Sequence, residues 1–429
     1  MSPRCGHDRG TVLSRQAKFA AGAAVGAGRE AAADTPCRTA AASRHIVAIP
    51  SWYKTARGSG GGYFRDQALA LQAAGHHVAV LTPDIYTLRD VGRGGAATGR
   101  GAARVTDDGV PTWRREMLLL APRLPYRNAA GMALCGLKLF GVYCRGEGRP
   151  ELVHAHAALN AGVVALAIKR RYGVPYVLTE HSTAFAQGSM RRWEHRLAGR
   201  VVRGAALCIA PSPHLAALLT RLYPGSQWCC LANPLGTAFL ETAAAAHPPA
   251  APFVFVTAAR MTPEKGHVLL LQAFAERFRG DRSTRLRLVG DGPLRGRLEQ
   301  MCRETGIAGQ VEFTGTLTAE GVRDALATAH AFVLASEVET FGVVVIEALA
   351  CGRPVVVTAS GGPDHLVEAG NGLLVPVGDR AGLAAALDEM RRRAADYDAA
   401  AIRAASLAAY APDGFAAGFA ALTAAVGRV

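Results

Sequence analysis

The chain has 429 residues, 50% hydrophobic and 19% charged, a balance that excludes a disordered or low-complexity polypeptide and leaves room for two domains with full cores. No run of 18 or more apolar residues occurs, so no segment reads as a membrane-spanning helix. The net charge of +14 is unevenly placed: residues 44–240 hold 24 Lys and Arg against 10 Asp and Glu, residues 241–429 hold 18 against 21.

Taken in order, residues 1–43 are rich in Ala, Gly and Arg without a usable period. They read as disordered or as an overlong leader. Arg15 and Lys18 precede FAAGAAVGAG, but Arg29 and Glu30 interrupt this weakly apolar stretch, which makes it a poor signal peptide. A strand is expected at His45–Pro50, then the glycine-rich loop SWYKTARGSGGG, a helix over 63–74 and a strand at His77–Thr82. Residues 84–112 read as a loopy insertion. An amphipathic helix over 128–144 follows, and βα alternation continues with strands at 152–154, 176–179, 207–210 and 228–231 and helices at 161–172, 190–203 and 215–222. Residues 242–252 have linker composition.

The alternation then restarts. Strands are expected at 253–257, 286–289, 311–313, 331–334, 355–358 and 373–375, with helices near 267–278, 293–305, 319–327, 343–350 and 380–393. A last Ala-rich helical stretch, 399–427, is placed to fold back across the domains. Short strands alternating with helices build parallel sheets. The fold class is therefore α/β, with two doubly wound Rossmann-like domains (44–240 and 253–398) facing each other across a cleft. The nine cysteines are odd in number and include no CxxC pair, so they read as reduced thiols in the cytoplasm.

The chemistry gathers at expected strand ends, where open parallel sheets bind ligands. Glu337 and Glu339 follow one strand, and Phe341, Gly342 and Val343 open the next helix, where unpaired N–H groups and the helix dipole favour an anion. Glu347 lies on that helix. Acids beside an anion site make sense for a ligand that carries both a diphosphate and hydroxyls, such as a nucleotide-sugar. Arg260 and Lys265, in AARMTPEKG, are a cation pair able to hold a diphosphate. Gly60, Gly61 and Gly62 open a helix after the first strand and suit a phosphate, although the loop is neither a GxGxxG fingerprint nor a Walker A motif. His154, His156 and His181 fall at or just past strand ends. A satisfied structural histidine and a cleft role are both open for the first two, whereas His181 suits hydroxyl binding. The GDGP turn at 290–293 reads as structural, and the DxD spelled by Asp396 and Asp398 as a solvated helix edge.

These pieces, in order, resemble the GT-B retaining glycosyltransferases of family 4. The resemblance covers residues 44–395 and rests on SGGG, LVHAH, VPYVLTEHS, ANPLGTAF, ARMTPEKGH, LVGDGPLR and SEVETFGVVVIEALACGRPVVVTASGG, which contains the Glu-x7-Glu of Glu339 and Glu347. It implies a nucleotide-sugar donor site formed by Gly61, Gly62, Arg260, Lys265, Glu339, Phe341, Gly342, Val343 and Glu347. Glu347 would bond ribose hydroxyls and Glu339 sugar hydroxyls. Glu339, His181, Arg260 and Lys265 are the implied catalytic residues, with His156 and His181 at the acceptor. No cofactor and no metal are implied.

The basic first half calls for an anionic partner: nucleic acid, or an anionic membrane surface. A merely solvated arginine-rich face is the plainer alternative. With the resemblance, nucleic acid drops out. The expected partners are a nucleotide-sugar, a glycan or lipid-linked acceptor, and the inner face of the plasma membrane, with the 128–144 helix as contact. A non-catalytic polyanion-binding protein would leave the two acids unexplained. An epimerase of the same shape lacks the Arg260 and Glu-x7-Glu pattern.

Overall fold

The computed structural model describes residues 43–53, 61–86, 101–118, 126–241 and 252–427. The leader, Gly58–Gly60 of the glycine loop, residues 87–100 of the expected insertion and residues 242–251 of the linker lie outside the described residues.

The first sheet has eight strands. Its elements are β1 (His45–Pro50), α1 (Gly62–Ala73), β2 (His77–Tyr86), β3 (Ala102–Asp107), β4 (Val110–Leu118), α2 (Arg127–Glu147), β5 (Leu152–His156), α3 (Ala161–Tyr172), β6 (Tyr176–Thr179), α4 (Arg192–Gly204), β7 (Leu207–Ala210), α5 (Pro213–Leu222) and β8 (Trp228–Cys230). Strand order is β3-β4-β2-β1-β5-β6-β7-β8, parallel except for the β3–β4 hairpin. The central strands are apolar and buried on both faces, as parallel strands covered by helices must be.

The expected loop over 84–112 is corrected in part. β2 runs on to Tyr86, and β3 and β4 extend the sheet edge, with Thr112 paired to both Val80 and Val105. β3 is largely exposed and β4 carries Arg114, Arg115 and Glu116. Neither strand shows apolar alternation; β3 is the edge strand, where charged and polar residues are tolerated, and β4 lies between it and β2.

The second sheet is built from β9 (Phe253–Ala258), α6 (His267–Phe278), β10 (Thr284–Val289), α7 (Arg295–Glu304), β11 (Val311–Gly315), α8 (Ala319–Ala327), β12 (Ala331–Leu334), α9 (Val343–Ala350), β13 (Val355–Thr358), β14 (Gly372–Val375) and α10 (Arg380–Arg393). Its order is β11-β10-β9-β12-β13-β14, all parallel. Phe255, Phe274, Phe332, Ile346 and Val356 are at the centre of its core.

Two helices close the chain, α11 (Ala399–Tyr410) and α12 (Pro412–Thr423). Asp398 caps α11 through the N–H groups of Ala400 and Ala401, so the second acid of the DxD spelling has a structural task. α11 stays with the second domain, where Ser406 Oγ donates to Ile346 O at 3.0 Å. Pro412 then starts α12, whose Phe415, Ala416 and Phe419 join Phe64, Ala68 and Leu71 of α1 in the first domain's core. The Arg44 guanidinium donates to Thr423 O at 3.0 Å and Val426 O at 2.8 Å, holding the carbonyls at the end of that helix.

Candidate active site

The carboxyl ends of both sheets line one cavity of roughly 310 Å³. Its walls include Tyr63, His181, Thr183 and Asn233 from the first domain and Arg260, Lys265, Glu339, Thr340, Phe341, Gly342, Val343 and Val344 from the second. Seven of the residues singled out in the sequence for catalysis or donor contact (His181, Arg260, Lys265, Glu339, Phe341, Gly342 and Val343) are thus in one place.

The cation pair is carried by the loop after β9. Lys265 ends a 3₁₀ turn, and Gly266, at φ +65°, turns the chain into α6. A Cβ on Gly266 would stand 1.8 Å from Ala335 O, so only glycine allows this loop to lie against the end of β12. The GDGP turn supports the same loop from the other side. Met261 N–H donates to Asp291 O at 2.9 Å, Ala259 N–H to Val289 O at 3.0 Å, and Leu294 N–H to Met261 O at 3.1 Å. The turn is structural, as its sequence suggests, and what it positions is Arg260. That guanidinium is exposed and has no ion-pair partner among the described residues.

Lys265 Nζ donates to Glu339 Oε1 at 2.6 Å, and Ser336 Oγ donates to the same oxygen at 2.8 Å. Glu339 is 8% exposed. Its backbone is tied to the loop after β13, with Glu339 N–H on Ser360 O at 3.1 Å and Gly362 N–H on Glu339 O at 3.0 Å. Oε2 has no hydrogen-bond partner among the described residues and is the atom left for a ligand hydroxyl. Glu337 is exposed, as its lack of an assigned role suggests. Gly342, at φ +91°, is the N-cap of α9. No backbone acceptor serves the N–H groups of Phe341–Val344 among the described residues, so the cavity wall is a set of free donors next to two cations.

Glu347 and the glycines stand outside this cavity wall. Glu347 lies one turn into α9, half-buried. Burial, and second the Asp66 carboxylate on α1, push its carboxyl up to about 8. Gly61 is left-handed at φ +91°, and a Cβ there would meet Trp52 O at 2.8 Å. Gly62 begins α1.

The three histidines have different surroundings. His181 faces the cavity, with its ring 5.2 Å from that of Tyr63, and burial pushes its imidazole down to about 3. It is neutral, able to give or accept a hydrogen bond without charge. His156 was expected at the acceptor; it sits instead behind His181, with Nδ1 3.2 Å from His181 Nε2 and its ring 4.7 Å from Phe64. His154 is farther from the cavity, bonded to Thr179 Oγ1 at 2.7 Å and packed on Phe419. Glu180 holds the His181 loop in place. Its buried carboxylate accepts the N–H groups of Ala158, His181 and Ser182, each at 2.8 Å.

Four wall residues were given no role from the sequence: Tyr63, Thr183, Asn233 and Thr340. Asn233 had a signal, the Asn-Pro after β8, and its Oδ1 accepts from Gln67 Nε2 at 2.9 Å. Thr340 O accepts from Ser212 Oγ at 2.7 Å, a tie between the domains that no local pattern announces.

Two parallel α/β domains with their strand ends on one cation-lined cavity define a glycosyltransferase of the GT-B fold. The Glycosyl transferase 4-like domain family matches residues 58–234, and the Glycosyl transferases group 1 family matches residues 240–405. The chain belongs to this family of glycosyltransferases. Over 334 residues it is 29% identical to the glycogen synthase of Mycobacterium tuberculosis, covering 74% of this chain and 78% of that protein. It is 30% identical to a 2-deoxystreptamine N-acetyl-D-glucosaminyltransferase of Streptomyces fradiae, covering 65% and 70%. Among solved structures, sucrose-phosphate synthase of Thermosynechococcus elongatus superposes with a TM-score of 0.73 at 22% identity, over 89% of this chain and 98% of that one. The chain is an enzyme of the hexosyltransferase type that uses a nucleotide-sugar.

Proposed function

We propose that this enzyme transfers a sugar from a UDP- or GDP-linked donor with retention of configuration, to a hydroxyl of a growing or lipid-linked glycan in cell-surface polysaccharide synthesis. The observation that carries the reading is the unpaired Arg260 guanidinium beside the Lys265–Glu339 pair, against the free N–H groups that open α9. A diphosphate leaving group meets three kinds of donor there, a guanidinium, an ammonium and backbone N–H groups, and Glu339 Oε2 remains for a sugar hydroxyl.

In the proposed step the acceptor hydroxyl approaches the anomeric carbon on the face the diphosphate leaves. The bond to the phosphate oxygen breaks as the new glycosidic bond forms, and the acceptor proton passes to the departing phosphate. Arg260, Lys265 and the α9 amides stabilise the charge growing on that phosphate. His181, neutral and braced by His156, orients a hydroxyl. Glu347 holds the ribose. No residue in this arrangement calls for a divalent metal. The basic first domain suits a pyrophosphate-linked acceptor or docking on an anionic leaflet. No described helix is long and apolar enough to cross a membrane.

The test is incubation of the purified protein with UDP-, GDP- and ADP-sugars in EDTA, with and without glycan acceptors. Donor consumption is followed, and the anomeric coupling of the product is read by proton NMR. Consumption of one donor class with the donor's own anomeric configuration in the product is expected. An inverted product overturns retention, and loss of turnover in EDTA overturns the metal-free chemistry. Failure of every nucleotide-sugar to bind overturns the whole reading.

A further inference from the structure

A second basic cavity lies away from the donor cleft, on the flank of the first domain. It is lined by Arg115 of β4, Lys138, Gly141 and Arg145 of α2, and Arg171 and Tyr172 of α3, with a volume of about 430 Å³. Lys138, Gly141 and Arg145 are three and four residues apart and share one face of α2. Arg171 and Tyr172 precede β6 in the chain, at its amino end, whereas His181 follows its carboxyl end.

Four cations converge here without a carboxylate among the lining residues. None of the four has an ion pair among the described residues, and Arg115 Nε is buried without a hydrogen-bond partner. The acid on the same helix, Glu147, is turned to Arg104 at 3.4 Å. A simpler account covers part of this: Arg145 and Arg171 sit in the last turns of α2 and α3, where cations are favoured by the helix dipole. That account does not reach Arg115, on a strand, or Lys138, in mid-helix. The floor of the cavity is open because residue 141 is glycine. A Cβ there would stand 3.3 Å from Tyr172 Oη and 3.8 Å from Arg145 Nη1, so a hydroxyl and a guanidinium flank the same gap.

We propose that this cavity is a second anion site, which holds the phosphate of a phosphomonoester or diphosphate group outside the donor cleft. Four like charges held together repel one another, and an anion with several oxygens relieves that repulsion while accepting from the guanidinium forks.

The probe is inorganic pyrophosphate, titrated calorimetrically into the full chain at low salt. Two sites are expected. Arg260→Gln with Lys265→Gln removes the cleft site and leaves one. Adding Lys138→Gln and Arg171→Gln, both at exposed positions, weakens that remaining site by about 10-fold or more without moving the melting temperature. Gly141→Val keeps every charge but fills the floor, and also abolishes the remaining site. Pyrophosphate binding that vanishes with the cleft pair alone overturns the proposal. So does binding that ignores both Lys138→Gln/Arg171→Gln and Gly141→Val. A sedimentation arm with phosphatidylglycerol vesicles identifies the source. Sedimentation competed by pyrophosphate supports the site and assigns it to a lipid headgroup. Calorimetric binding without sedimentation supports it and assigns it to a soluble phosphorylated molecule.

Discussion

Lys265 and Glu339 form their ion pair before a donor arrives. A diphosphate that takes the ammonium away from Glu339 Oε1 leaves Ser336 Oγ as that oxygen's donor, so the carboxylate stays partly satisfied and free to take a sugar hydroxyl. Replacement of Arg260 or Lys265 by Ala is expected to lower turnover by at least ~100-fold, the scale of losing one transition-state donor; near-normal kcat in both variants would falsify the phosphate clamp. Glu347 makes a different prediction. Burial and the Asp66 charge raise its carboxyl from 4.5 to about 8, so the native state holds this proton more tightly than the unfolded chain. The stability it contributes is full below about 4.5, falls as pH rises, and is gone above about 8. Glu347→Gln should therefore flatten the dependence of Tm on pH across that window. Equal slopes in the variant and the parent would remove Glu347 from the account. At this scale the charged residues that line the cavity, Arg260, Lys265 and Glu339, stand in loops at strand ends, where a sequence pattern shows them, whereas Glu347 stands on a helix and off the cavity wall. His156 lies behind His181 and off the cavity wall, since the side of a strand end that a ring occupies depends on Phe64 and His181, neither of which is a sequence neighbour.

Between residues and domains stand the turns that aim them. The loop bearing Arg260 is held by the backbone of the GDGP turn, beside the buried Met261 side chain and the Lys265–Glu339 pair. A Cβ on Gly292 would come within 2.6 Å of Met261 O, whereas one on Gly296 meets nothing within 4 Å. Gly292→Ala should shift the Arg260 loop and reduce kcat by about 10-fold or more, since small misplacements of a catalytic group are costly. Gly296→Ala should leave kcat unchanged. Steady-state kinetics on the two variants separates an aiming role from a generic loss of a glycine. Elements were legible wherever the apolar pattern was strong: β6, β7, β12 and β13 are short continuous apolar runs, and α6 and α9 carry buried residues along their length. The β3–β4 hairpin was not legible, because both strands are polar: β3 is the sheet edge, and β4 is ordered by pairing with β3 on one side and β2 on the other.

The two domains are not independent lobes on a linker. α11 is bonded to the second domain through Ser406 and Ile346, one residue separates it from α12, and α12 completes the core of the first. The Ala-rich end of the chain was expected to fold back towards the first domain, and the residues of it that enter that domain's core are Phe415, Ala416 and Phe419. The interdomain hydrogen bond from Ser212 to Thr340 left no sequence trace at all. The docking of α12 can be measured with probes already present. The chain's four tryptophans, Trp52, Trp113, Trp193 and Trp228, all precede residue 240, so tryptophan fluorescence reports unfolding of the first domain. Phe419 is 1% exposed and packs with α1 residues and His154. Phe419→Ala, far along the chain, should destabilise the fluorescence-detected transition by about 3–5 kcal/mol, the usual cost of removing a buried phenyl ring. It should do so through a lower denaturant midpoint. If the midpoint stayed where it is in the parent, α12 would not be part of the first domain's core, and the chain's crossing at Ala411 would have no role in holding the cleft together.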